Sequence, residues 1–199
     1  MESPSLRERT RLAVRQQLLD TALALFVKHG YEATTVDEIA AAAGMSKRSF
    51  FRYFGSKEDV ILGKHERLGE QFVDALRARP LDEPLWTALR RMFDDVVAYM
   101  TDPAQAAGAA EIQRVINGSP SLRAGYLDRM LGNQTRIAEV ARERAAESGH
   151  PWDETDPAPL AMVGSAFACL TAANASAAAS GGSLAEALDR AMAAVGPLG

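Results

Sequence analysis

Cysteine and histidine are scarce: Cys169 is the one thiol, and His29, His65 and His150 are the only imidazoles in 199 residues. A single thiol closes no internal disulfide, and in its alanine-rich setting Cys169 reads as a small buried hydrophobe rather than a nucleophile. The histidines are spread too widely to share one helix face, so metal-ligand spacing is missing. Strand patterning is missing as well, since apolar and polar residues nowhere alternate at a period of two. Without strands there is no strand-to-helix glycine loop to cradle a phosphate, and Gly181-Gly182 reads as a helix terminator. Catalysis therefore has no candidate constellation. The expectation is a protein that is not an enzyme and uses neither cofactor nor metal. The longest run of low polarity, Ala158 to Ala179, is mostly alanine and is interrupted by Thr171, Asn174 and Ser176. It is too weakly apolar for a good membrane span, so a buried helix and no membrane contact are expected. No basic leader followed by an apolar core opens the sequence, and a cytoplasmic location is expected.

What is present is helical. The chain is 47% hydrophobic, enough for a substantial core. Apolar residues recur at helical spacing from Leu12 to His29, from Lys57 to Arg79, and in segments 85–101, 104–116, 121–148, 158–180 and 184–195, with proline, glycine or asparagine at nearly every joint. The fold expected is all-α, with about nine helices. The net charge is −4, but it is unevenly spread. Up to Lys57 there are nine Lys/Arg against six Asp/Glu, and beyond it thirteen against twenty. A basic head, residues 1–57, is therefore expected to precede an acidic body, residues 58–199, as suits a chain of which only the head meets phosphate. Arg7 and Arg9, leading into Arg11 and Arg15, make residues 1–10 either a frayed terminus or an arm lying along DNA.

The stretch Thr34 to Lys57 reads as two short helices around a glycine turn. Thr35 and Glu38 form a capping box, Gly44 suits the left-handed conformation that stops a helix, and Ser46 caps a second helix running to about Phe54. Phe50 and Phe54, four apart, fall on its inner side, while Lys47, Arg48, Ser49 and Arg52 project outward. A helix so presented fits a major groove about 12 Å wide. Lys47 and Arg48, at its amino end, are placed for base edges; Thr34, Thr35, Tyr53 and Lys57 are placed for phosphate.

The run TTVDEIAAAAGMSKRSFFRYFGSKEDV, preceded by Leu25-Phe26 and Gly30-Tyr31, resembles the N-terminal domain of the tetracycline-repressor (TetR) family of bacterial transcriptional regulators. The resemblance covers residues 12–62. It implies an all-α homodimer with a three-helix helix-turn-helix head on double-stranded operator DNA. It also implies a body that binds a small effector and dimerises through its last two long helices. Carried over, Lys47, Arg48, Ser49 and Phe51 fall on positions facing DNA, and Thr35, Tyr53 and Lys57 on backbone-contacting ones. Phe51 stands where members often have tyrosine, so one hydroxyl contact is missing here. The segments Gln113 to Arg123 and Gly181 to Asp189 resemble regulators grouped by an acyl-CoA-like ligand.

In the body, Trp86, Phe93, Val97, Met100, Ile112 and Met130 are the candidate lining of an effector pocket, although residues at such spacing also serve as plain core. Dimerisation is expected through 158–180 and 184–195, where alanine and glycine let helices approach closely. The residues alone leave two competing readings: a helical small-molecule-binding protein, and a DNA-binding architectural protein without an effector.

Overall fold

The computed structural model describes residues 5–196. Among them there are ten helices and no strand: α1 (Leu6–His29), α2 (Val36–Ala42), α3 (Lys47–Phe50), α4 (Lys57–Arg77), α5 (Leu85–Met92), α6 (Asp94–Met100), α7 (Pro103–Gly118), α8 (Pro120–Glu147), α9 (Ala158–Ser180) and α10 (Leu184–Val195). The expected helix at 85–101 is present but bent: Phe93, at φ −88° and ψ −2°, ends α5 and opens α6. Counted as one bent helix, these make nine. Helix α1 begins at Leu6, six residues before the expected start, so 6–10 are helix rather than a frayed arm. The first four residues lie outside the described ones.

Two compact units are formed, and their contact boundaries do not coincide with a cut after Lys57. The first runs up to Glu66 and takes in Gly108–Asp128; the second joins Arg67–Ala107 to the residues from Arg129 on. In the first, Leu18, Ala22 and Phe26 of α1 pack with Ile39, Phe50, Phe54 and Ile61. Ile112, Ile116 and Leu122, from the joint of α7 and α8, are buried in the same core. These apolar faces, not helix propensity, account for most of the unit's helical stability.

The second unit is centred on three rings. Phe72, Phe93 and Phe167 meet edge to face in every pairing, with centroids 5.2 to 5.6 Å apart, an arrangement favoured by the ring quadrupole. Helices α9 and α10 pack along each other, and Ser183 caps α10 by accepting from the Glu186 amide. By length and composition α9 would suffice to cross a membrane, contrary to the expectation that it is too weakly apolar. Its residues Val163, Ala166, Phe167, Leu170 and Ala173 are nonetheless part of the buried core.

The same unit holds a buried cation. Arg144, 6% exposed, donates to the carbonyls of Leu76 (3.1 Å), Arg79 (2.6 Å) and Pro80 (2.7 Å). These are carbonyls at and just beyond the end of α4, where a helix runs out of internal donors. A guanidinium with five N–H groups in a rigid fork can satisfy several at once.

Candidate nucleic-acid interface

The candidate interface is built from local capping. Thr35 accepts from the Glu38 amide at 3.2 Å, and the Glu38 carboxylate takes the Thr35 amide at 2.7 Å, completing the box that opens α2. Gly44 turns the chain at φ +70°, a conformation strained for any residue with a Cβ. Ser46 then accepts from the Ser49 amide at 3.2 Å and starts α3. Regular helix lasts only to Phe50; Arg52 and Tyr53 bond back three residues and Phe54 four, so the coil tightens instead of continuing evenly to Phe54. Phe50 and Phe54 are buried, and they fix the roll of α3 about its axis.

That roll leaves Lys47, Arg48, Phe51 and Arg52 exposed, with Ser49 half-buried. Phe51 is 48% exposed and stands edge-on to Phe50. Lys47 is held sideways by Asp37 of α2, Nζ to carboxylate 2.8 Å, whereas Arg48 has no such bridge among the described residues. An ion pair this exposed contributes at most about 1 kcal/mol and yields readily to a phosphate. Tyr53 is half-buried, and its carbonyl takes a 2.6 Å bond from Arg15.

Two expected phosphate contacts are corrected. Thr34 is 2% exposed and its hydroxyl donates to the Gly30 carbonyl at 2.8 Å, so it braces the α1–α2 turn and does not face a groove. Lys57 is half-buried; its ammonium donates to the carbonyls of Tyr31 (2.8 Å) and Thr34 (3.0 Å) and lies 4.1 Å from the centre of the Tyr31 ring. It ties the start of α4 to that turn. A different residue joins the turn to the α7–α8 joint: Glu32 accepts from both Ser119 and Ser121, each at 2.7 Å, while buried Ser119 also takes the Leu122 amide. Partners 87 and 89 residues away leave no local signal in the sequence.

Two carboxylates here are acidified by what they accept. The backbone N–H and then the hydroxyl of Thr35 hold Glu38 below the usual carboxylate range, and the Ser119 hydroxyl, then that of Ser121, does the same for Glu32. A group whose folded pKa is lowered stabilises fully above its unfolded value, about 4.3, and loses that contribution as pH falls through the folded value. The expected result is a melting temperature that drops below about pH 4.3, less steeply in Glu38→Gln and Glu32→Gln. Parallel acid limbs in all three proteins would show that neither carboxylate matters.

Of the six expected effector residues, five belong to one core or pack against it and one does not. Phe93 and Val97 are buried core, Met100 and Met130 lie partly buried against it, and Ile112 is in the other unit's core, so it drops from the set. Trp86 borders a surface hollow of about 340 Å³ with Thr87, Arg90, Arg91 and Met192, and its indole donates to the Met192 carbonyl. Arg90 in that hollow is neutralised by Asp189 and Asp94, at 2.5 and 2.7 Å.

Two capped helices at a glycine turn, the second with exposed cations at its amino end, define a helix-turn-helix head of the DNA-binding kind. Comparison with known proteins agrees. Residues 18–63 match the profile of bacterial regulatory proteins of the tetR family, and residues 83–197 that of the MftR C-terminal domain. The chain is 36% identical over 145 residues to the HTH-type transcriptional regulator TcmR of Streptomyces glaucescens, covering 71% of this chain and 64% of that one. It is 30% identical over 138 residues to MftR of Mycobacterium tuberculosis, covering 69% and 68%. The matches thus span about two thirds of these curated relatives. Among solved structures, the fatty acid degradation regulator FadR of Bacillus halodurans superposes with a TM-score of 0.57 at 21% identity, covering 99% and 98%, which shows a shared fold. The chain belongs to the TetR family of bacterial transcriptional regulators.

Proposed function

We propose that this chain is a ligand-responsive transcriptional repressor, not a catalyst, which binds an inverted-repeat operator as a homodimer in the cytoplasm and is released by a small apolar effector. The observation that carries this reading is the exposed amino end of α3. There Arg48 stands free for the two hydrogen bonds that guanine offers in the major groove, on a helix rolled into place by Phe50 and Phe54. Reading is assigned to residues 1–57, through Thr35, Ser46, Lys47, Arg48, Ser49, Phe51, Arg52 and Tyr53.

Dimerisation is supported by α9. Ala161, Ala168, Ala172, Ala175 and Ala179 are exposed and recur every three to four residues or at multiples of that spacing, forming one stripe of small side chains against which a second copy can pack closely. A two-fold dimer carries two reading helices, hence an operator with two inverted half-sites. For the effector, the proposal is an acyl-CoA-like or other hydrophobic molecule taken up at Trp86, Met100 and Met130, with Phe93 and Val97 behind them. Methionines at a core edge repack at little cost, which suits a site that opens for its ligand.

The test is selection from random-sequence duplexes with the full chain, followed by addition of acyl-CoAs of graded length. A recovered inverted repeat and its release by one of them support the reading. Recovery of no preferred sequence would overturn it, and a preferred sequence that no effector releases would favour an architectural protein.

A further inference from the structure

We infer that the first two turns of α1 are a second DNA-contacting element, in which Arg7 and Arg11, in line with Arg15, neutralise backbone phosphates beside the site read by α3. The inference rests on the DNA-binding reading of α3 and extends it to residues that the helix-turn-helix does not include.

Its anchor is Arg15. That guanidinium lies 4.4 Å over the Phe54 ring and donates to the Tyr53 carbonyl, so it touches the chain just where the reading helix ends. Arg11 and Arg7 stand one and two turns earlier on the same helix. At 3.6 residues per turn each step of four drifts only about 40°, so the three guanidiniums form one stripe, their Cα atoms advancing by about 6 Å per step. The stripe continues the face that farther along holds the buried Leu18, Ala22 and Phe26. Core contact ends at Val14, beside Arg15, and charge takes over.

Among the described residues, no core packing accounts for this overhang. Leu6 and Leu12 are 72% and 61% exposed, and Arg7, Arg9, Thr10, Arg11 and Ala13 are exposed too. Helical turns that bury nothing are marginal in water. Cations at a helix amino end also oppose its dipole, which favours anions there. Arg7 and Arg9 against Glu8 alone in the first turn are therefore unfavourable for an isolated helix. A row of phosphates reverses both terms: it adds negative charge beside the arginines, and each guanidinium can grip a phosphate through two N–H groups. Such contacts carry no base information, so the element sets affinity and register rather than sequence choice.

The experiment compares the full chain with R7A/R11A and R7K/R11K on a duplex recovered by selection with the unaltered chain and on a scrambled duplex of equal length. Association constants are measured from 50 to 300 mM salt. Each phosphate contact contributes about 0.9 to the slope of log K against log salt. The expected result is a slope shallower by about 1.8 per bound head in R7A/R11A, near-normal behaviour in R7K/R11K, and the same preference for selected over scrambled DNA in all three. Since both side chains are exposed, circular dichroism should match across the set. An unchanged slope in R7A/R11A would overturn the inference while leaving α3 as the reader. A slope change accompanied by lost sequence preference would also overturn it, because Arg7 and Arg11 would then be reading bases. Failure of the unaltered chain to prefer any duplex would overturn the inference together with the DNA-binding reading.

Discussion

Replacing Arg144 by alanine is expected to lower the unfolding free energy by about 3–5 kcal/mol, since hydrogen bonds to a charged group contribute about 1.5–3 kcal/mol each and are not additive. The change would strip the guanidinium from three carbonyls in a place where Arg144 itself is only 6% exposed: those of Leu76 and Pro80 keep an amide donor, from Arg79 at 3.2 Å and from Glu83 at 3.3 Å, while that of Arg79 loses the donor described for it. Against a typical total of about 5–15 kcal/mol, that is about a fifth or more of the protein's stability. Arg144→Lys should fall between, because an ammonium offers three donors without the planar fork that reaches three carbonyls together. Urea denaturation of the full chain, followed by circular dichroism, measures both. A loss below about 1 kcal/mol for the alanine variant would mean that water replaces the guanidinium freely.

For Arg48→Ala the expected loss is in discrimination and not in folding. A bidentate arginine–guanine pair is worth about 1–3 kcal/mol against the wrong base, or roughly 5- to 150-fold. The variant should therefore bind a selected operator and its single-base variants almost alike at one position per half-site, with an unchanged melting temperature, since the side chain is exposed. Lys57→Met should behave in the opposite way. Its ammonium holds the Tyr31 and Thr34 carbonyls, so its loss loosens the α1–α2 turn, lowering the melting temperature as well as affinity for every duplex. If both variants lost affinity uniformly and melted normally, the division between a reading arginine and a bracing lysine would fail.

What could be read from the sequence was whatever depends on neighbours in the chain. The caps at Thr35, Ser46 and Ser183, the turn at Gly44, and the bounds of α9 and α10 all follow from residues within four positions of one another. The burial of Phe50 and Phe54 followed equally from helical spacing. Elsewhere the signal was absent or misleading. The start of α1 has polar residues where a core-facing stripe would show, and the bend at Phe93 carries neither glycine nor proline. Thr34 and Lys57 look like phosphate ligands until the carbonyls they serve are seen, and for Lys57 these lie 23 and 26 residues away. Ile112 has the same apolar character as its supposed partners, yet the fold sends it to another core. Arg144 and the Glu32–Ser119 pair resemble ordinary solvated side chains in a charged helix and a loop, because only tertiary structure brings their partners near.

The burial of Ile112, Ile116 and Leu122 with Leu18, Ile39 and Phe50 also governs the order in which the protein can be made. A ribosome that has just finished α4 has not yet supplied three of the side chains that close this core. At about 5–20 residues per second, Leu122 emerges roughly 2 to 9 s after Arg77. During that interval the nascent helix-turn-helix exposes apolar surface to whatever chaperone is nearby. The same consequence faces anyone grafting this head onto another regulator: a cut after Lys57 or Glu66 severs the core. A portable reading module would need apolar residues repainted where the α7–α8 joint now sits, or the joint itself carried along.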